Sequence, residues 1–138
     1  MNLSGSVGKT VLSEGTKAYF DGSSPVSLAA KLDNPAASLK AVIRDATGAI
    51  KNQYDFGSLG SGVTDFIWDG YADDGTLLQA GFYNLELTAT DAQGNVTYPQ
   101  AYVGAMVAGI GREDDGIQVT LGDGRSITTD EILKWVAV

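Results

Sequence analysis

Apolar and polar residues alternate along several short runs of this chain, and a period of two is typical of strands that bury one face of a sheet. The clearest run covers residues 82–90 and places on one face Tyr83, Leu85, Leu87 and Ala89. Similar runs occupy residues 26–32, 39–45, 49–54 and 63–68. Because turn residues separate these runs, we predict an all-β chain with an antiparallel sandwich of the immunoglobulin or fibronectin type III kind over residues 25–101.

The two ends of the chain lie outside this sandwich. Residues 7–12 and 17–20 predict a hairpin at the start, and later runs predict a meander with tight turns over residues 103–128. Neither piece has enough strands to bury a core alone. We therefore expect residues 1–24 and 102–138 to form one small barrel that the sandwich interrupts.

The stretch TDEILKW near the end predicts a short helix. Thr128 and Glu131 have the spacing of a capping box, in which each residue satisfies a backbone N–H group of the other. Ile132, Leu133 and Trp135 would supply the apolar side of this helix. The predicted barrel therefore ends on a short C-terminal helix.

Aspartate and glycine recur together in the turns between the predicted strands. DATG (45–48) and DAQG (91–94) each begin a turn with aspartate and leave it with glycine, which is typical of a hairpin with a bulge. The stretch from residue 68 to residue 83 uses the same residue types, and we interpret it as a framework of turns that positions one long loop between two core strands. The residues of this framework are Trp68, Asp69, Gly70, Asp74, Gly75, Gly81, Tyr83, Asp91 and Gly94.

Charge and composition exclude several classes of function. The net charge is −8 and the nine cationic residues are dispersed, which argues against a nucleic acid or an anionic membrane as partner. The chain has no cysteine and no histidine, so disulfides, thiolate nucleophiles and imidazole bases are excluded. We expect no catalytic residues, no cofactor and no metal ligands.

The acidic loop after residue 68 leaves two other readings open. Counted from Asp69, the oxygen ligands and the glycine of an EF-hand do not fall at the required positions, although a calcium site of another kind could use Asp69, Asp73 and Asp74. A pair of catalytic carboxylates could be Asp69 with Asp74 or Glu86, but some acidic pair will have a suitable separation by chance. Turn formation accounts for more of the pattern.

The loop over residues 69–81 also holds three large side chains, Tyr71, Leu77 and Leu78. A free loop rarely exposes such residues together, so this loop is a candidate surface for protein contact. The alternative is that the three side chains fold back onto the core.

Residues 66–95, FIWDGYADDGTLLQAGFYNLELTATDAQGN, resemble the flagellar hook-capping protein family, FlgD or basal-body rod modification protein. The shared elements are the Trp-Asp-Gly at 68–70, the acidic-Gly turn at 74–75, the Gly-x-Tyr at 81–83 and the Asp-Ala-x-Gly at 91–94. VIRDATGAI (42–50), SVGKTVL (6–12) and SITTDEILKWV (126–136) extend the resemblance over nearly the whole chain.

The resemblance implies a Tudor-like barrel split by a fibronectin-like domain, in a protein whose N-terminal segment this chain would lack. It implies a scaffold at the distal tip of the nascent hook of the bacterial flagellum, exported by the flagellar type III apparatus. Its partners would be the hook protein and, in the full-length form, further copies of itself in a cap ring. The alternative is an immunoglobulin-like ligand-binding or adhesive module of a secreted protein.

Overall fold

The computed structural model describes residues 5–114 and 116–136, and these residues form an all-β fold. Apart from one 3-10 turn, Thr129–Glu131, the regular elements are strands. The strands are β1 (Thr10–Glu14), β2 (Lys17–Phe20), β3 (Val26–Leu32), β4 (Ala36–Arg44), β5 (Ile50–Leu59), β6 (Gly62–Trp68), β7 (Gly81–Thr90), β8 (Val96–Thr97), β9 (Gln100–Glu113), β10 (Gly116–Leu121), β11 (Ser126–Thr128) and β12 (Ile132–Trp135). Within the described ranges, no helix is long and apolar enough to cross a membrane.

The strands form two sheets, and all the pairings between them are antiparallel. The smaller sheet has the order β2-β7-β4-β5, with β8 paired to the end of β7. The larger sheet is centred on β9, a strand of 14 residues. β9 pairs with β3 near its start, with β1 over Tyr102 to Met106, and with β10 from Val107 onward. One continuous strand therefore contributes to both ends of the molecule.

The main core lies between the smaller sheet and the β3-β6 part of the larger one. The predicted inward face of β7 is confirmed, because Tyr83, Leu85, Leu87 and Ala89 are all buried. Phe20 of β2 and Trp68 of β6 are among the largest fully buried side chains. Both belong to the same apolar cluster as the β7 residues, so this core draws on strands from both sheets.

A second core is built from the first strand and the C-terminal strands. The buried members of this cluster are Val11, Val107, Val119, Leu121 and Ile127. The predicted meander is confirmed, since β9 pairs with β10 and β10 pairs with β11. Its expected turn at residues 114–116 includes residue 115, which lies outside the described residues.

An arginine ties the turn between β10 and β11 to the end of β1. Arg125 donates from Nε to Asp123 Oδ2 at 2.7 Å and from Nη2 to Ser13 Oγ at 3.0 Å. Its Nη1 donates to the Glu14 carbonyl at 3.0 Å, directly before Gly15, where the chain leaves the second core. The hydroxyl of Ser13 is buried and the carboxylate of Asp123 is nearly buried. These bonds give each of them a hydrogen-bond partner.

The predicted hairpin at the start of the chain is wrong. β1 pairs with β9 and β12 in the larger sheet, whereas β2 pairs with β7 in the smaller one. Val11 and Leu12 are both buried, as expected for a strand covered on two faces, while β2 buries only Ala18 and Phe20 on one face. Alternation fixes which face of a strand is buried, but it does not fix the neighbouring strand.

The predicted C-terminal helix is also wrong. Residues 129–131 make a single 3-10 turn, and Ile132–Trp135 continue as β12, paired with β1. The capping interaction does form, because the backbone N–H of Thr128 donates to Glu131 Oε1 at 3.2 Å. A helix this short cannot offset the cost of its first turn, whereas β1 offers these residues hydrogen-bonding partners directly.

The loop between β6 and β7 as a candidate contact site

Trp68 anchors the start of the loop that joins β6 to β7. Its ring is fully buried, with ring centroids 5.4 Å from Phe20 and 5.0 Å from Tyr83. Its indole Nε1 donates to the backbone carbonyl of Tyr71 at 3.0 Å, which satisfies the polar atom of the ring inside the core. The expected core position of Trp68 is therefore present, and the same side chain also fixes the loop.

Gly70 lets the chain turn directly over a core aromatic ring. Its φ is +85°, and a Cβ atom at this position would lie 2.1 Å from Cζ of Phe20. Only glycine fits both the backbone angle and the space. Asp69, the residue before it, accepts the backbone N–H of Tyr71 at 3.0 Å through Oδ1, as expected of an aspartate that begins a turn.

The loop itself forms a small hairpin. Tyr71 and Leu77 make an antiparallel bridge, and the N–H of Ala72 donates to the carbonyl of Thr76 at 2.8 Å. The turn closes through the N–H of Gly75, whose φ is +88°, and Asp74 Oδ1 accepts the N–H of Thr76 at 2.9 Å. The loop therefore has internal order despite its length.

Two bonds attach this hairpin to the neighbouring strand β5. Asn52 Nδ2 donates to the carbonyl of Tyr71 at 2.8 Å, and the N–H of Asp73 donates to the carbonyl of Lys51 at 2.8 Å. The Tyr71 carbonyl thus accepts from both Asn52 and Trp68. Sequence reasoning missed Asn52, because nothing local to that residue indicates a partner 19 positions away.

The three predicted contact residues have different surroundings. The side chains of Tyr71 and Leu77 are 41% and 47% exposed, and they lie side by side across the bridge. Leu78 is partly buried and packs against the main core. The structure therefore brings Tyr71 and Leu77 together at the surface. Leu78 instead folds back onto the core, which is the alternative that the sequence left open.

Two acidic residues of the loop stabilise its turns through hydrogen bonds. Asp69 and Asp74 each accept a backbone N–H of the loop, and the bond from Thr76 holds the pKa of Asp74 below its usual value. Glu86 lies on β7 and forms an ion pair with Arg44 of β4. Among residues 5–114 and 116–136 no group of three or more acidic side chains is arranged to hold a metal ion.

The remaining residues of the predicted framework lie at the start of β7 and at the turn that follows it. Gly81 opens β7, and the Tyr83 hydroxyl donates to the carbonyl of Gln79 at 2.7 Å, while burial raises its pKa. Asp91 begins its turn as predicted, and Gly94 leaves it with a φ of +87°. The Asn95 amide side chain, followed by backbone N–H groups, lowers the pKa of Asp91.

The same hydrogen-bonded turn occurs four times among residues 5–114 and 116–136. In each case the first residue donates to the carbonyl four positions on, and the fourth residue, a glycine with positive φ, donates back to the first. Two of these turns begin with aspartate, at 45–48 and 91–94, and two do not, at 72–75 and 121–124. In the second pair the aspartate stands third instead of first, so the sequence indicated turns at Asp74-Gly75 and at 122–124 but not the hydrogen-bond pattern that they share with the first pair.

Comparison with known proteins adds to this geometry. The family model described as the FlgD Ig-like domain matches residues 15–93, more than half of the chain. The chain is 33% identical over 102 residues to proteins named basal-body rod modification protein FlgD from Salmonella typhimurium and Escherichia coli. Each match covers 74% of this chain but 44% of the relative, so the chain spans less than half the length of these relatives.

Solved structures share the fold. FlgD from Xanthomonas campestris, described in connection with hook capping essential for flagellar assembly, has a TM-score of 0.80 at 24% identity and covers 94% of both chains. FlgD from P. aeruginosa has a TM-score of 0.79 at 23% identity, over 94% of this chain and 96% of the other. At these identities the likeness shows the common fold.

Proposed function

Because the chain belongs to the FlgD family, we propose that it acts as a hook-cap scaffold, which promotes ordered assembly of hook-protein subunits at the tip of the growing flagellar hook. Family membership is the observation that carries the proposal. The work of such a scaffold is protein contact without catalysis. The protein would be exported by the flagellar type III apparatus and act at the distal end of the nascent hook.

The proposed scaffold holds each arriving hook-protein subunit until that subunit inserts. In the full-length protein several copies would form a closed ring through contacts of the head-to-tail kind. The contact surface must be stable in shape without binding irreversibly. The hairpin at 71–77 fits this need, since buried Trp68 and Asn52 of β5 hold its backbone while Tyr71 and Leu77 remain exposed.

We also propose a division of the chain into two modules. A Tudor-like barrel would comprise β1 with the strands from the middle of β9 onward, around the second core. An immunoglobulin- or fibronectin-like sandwich would be inserted between them. The boundary expected after residue 24 is moved to Gly15, since β2 pairs with β7 and Phe20 packs in the main core.

Deletion of the gene that encodes the protein tests the role. We expect unpolymerised hook protein in the culture medium and basal bodies without hooks, because export continues while assembly at the tip fails. Immunoblots of the medium and electron microscopy of basal bodies measure the two outcomes. Hooks of normal length and number in the deletion strain would refute the scaffold role.

Complementation of that strain tests the contact loop separately. Tyr71→Ser with Leu77→Ser should leave the melting temperature nearly unchanged and reduce the number of hooks per cell. The matched control replaces two exposed residues elsewhere, Val96 and Tyr98, by serine. Equal hook numbers in the two variants would remove the loop from the contact surface and leave the scaffold role intact.

A further inference from the structure

β6 presents a free and regular strand edge. It pairs with β3 through seven consecutive residue pairs, Val26 with Trp68 to Leu32 with Gly62, without a register shift. Within residues 5–114 and 116–136 no strand pairs with its other side. In an antiparallel pair, alternate residues direct their N–H and C=O groups away from the partner. β6 therefore offers a row of backbone donors and acceptors to another chain.

The other terminal strands of the described sheets are interrupted or short. β5 has three register shifts against β4, and two of its N–H groups, those of Gln53 and Gly57, are taken by the side chains of Asn52 and Asp55. β2, β8, β11 and β12 have four residues or fewer. Such features ordinarily prevent a strand from pairing with a second chain, and β6 has none of them.

The outer face of β6 is apolar apart from one half-exposed charged residue at its centre, Asp65. Val63 and Ile67 are 44% and 65% exposed, and Asp65 lies between them. A charged residue protects an edge strand against partners of like charge, and Asp65 also forms a surface ion pair with Lys134 of β12. A groove of about 280 Å³ runs from Ile67 to Trp135 beside this pair. The groove would receive side chains of a strand added at the edge.

We propose that β6 captures an extended segment of the hook-protein subunit by strand addition, and this inference rests on the proposed function. Backbone hydrogen bonds along the edge would bind the segment, and its alternate side chains would contact Val63 and Ile67. An extended segment can be released residue by residue. A scaffold that binds each subunit only until it inserts requires such reversible binding.

The charge at Asp65 selects a different chain over a second copy of this one. Two β6 strands paired in antiparallel fashion about their centre would place Asp65 opposite Asp65, and like charges directly opposite destabilise a sheet. A bound segment therefore has a neutral or basic residue opposite Asp65. In the bound segment, the residues two positions before and after that one are apolar, because they face Val63 and Ile67.

The test uses the whole chain and purified, unassembled hook protein. The variant Val63→Lys with Ile67→Lys places two cations on the outer face of the edge strand. The control, Val96→Lys with Tyr98→Lys, changes in the same way one exposed residue of β8 in the smaller sheet and one directly after that strand. We expect the Kd for hook protein to rise at least tenfold in the edge variant and to stay within about twofold in the control.

Hydrogen exchange of the backbone distinguishes strand addition from contact with the side chains alone. In the wild-type complex, amides at alternate residues of 62–68 should exchange at least tenfold more slowly than in the free chain. Unchanged exchange, or equal affinity of the edge variant and the wild type, overturns the inference while the scaffold role stands.

Two further outcomes also decide the question. Protection of the same amides in the chain alone, growing with its concentration, would identify a second copy as the occupant and overturn the proposed partner. A wild-type chain that does not bind hook protein would overturn the proposed function together with the inference.

Discussion

Replacing Gly70 by alanine measures how closely the loop is fitted to the core. The new Cβ would lie 2.1 Å from Cζ and 2.3 Å from Cε1 of Phe20, whereas non-bonded carbon atoms prefer about 3.5–4.0 Å. Phe20 is fully buried against Trp68, so its ring can move only by disturbing the core. Forcing an extra carbon into a packed core costs about 1–3 kcal/mol.

The backbone adds a second cost. At a φ of +85°, a residue with a Cβ is less stable than glycine by about 1–2 kcal/mol. Together the two effects should lower the free energy of unfolding by about 2–5 kcal/mol, a large part of the 5–15 kcal/mol typical of a domain. Urea unfolding, followed by tryptophan fluorescence, to which fully buried Trp68 contributes, measures the change.

Gly75→Ala is the matched control. Gly75 has almost the same φ, +88°, but no atom lies within 4 Å of the position of its missing Cβ. It should therefore show the backbone cost alone, about 1–2 kcal/mol. If the two substitutions agree within about 0.5 kcal/mol, the contact between residue 70 and Phe20 is not present in solution. In a Phe20→Ala background, Gly70→Ala should cost no more than Gly75→Ala does.

Four further substitutions test other parts of the fold. Leu78→Ser should lower the free energy of unfolding by about 1–2 kcal/mol and Leu77→Ser by less than about 0.5 kcal/mol, because only Leu78 packs on the core; equal losses in urea unfolding would contradict this. Asp91 has a pKa below its ordinary 3.8, so its charge stabilises the fold above that pH and the contribution is lost as the pH falls through the folded-state pKa. Asp91→Asn should therefore flatten the fall of Tm below about pH 4, and parallel curves for the two proteins would refute this. Arg125→Leu should cost about 1–3 kcal/mol, since it removes the side-chain partner of Oδ2 in the nearly buried carboxylate of Asp123, and a cost under about 0.5 kcal/mol would show that water replaces it.

The features predicted correctly from the sequence depend on neighbouring residues. The turns at 45–48 and 91–94 form because an aspartate side chain reaches N–H groups within four positions of it. The inward face of β7 follows from alternation alone. The position of Trp68 in the core follows from its size and its place at the end of a strand.

The features that the sequence did not predict depend on residues distant in the chain. β1 and β2 are separated by two residues, yet they enter different sheets, because β9 and β7 are the better partners. Residues 132–135 become a strand because β1 is beside them. The attachment of Tyr71 to Asn52 likewise exists only after β5 and the loop have come together.

The unbroken course of β9 has a mechanical consequence. Its first residues border the main core and its later ones the second core, with no loop between the two parts. Within residues 5–114 and 116–136, the only other covalent crossing is the short step from β1 to β2 at Gly15 and Thr16. Two crossings, one of them a hydrogen-bonded strand, resist twisting far better than a single flexible linker. A torque applied to one core is therefore transmitted to the other through the backbone, and the two turn together as one lever.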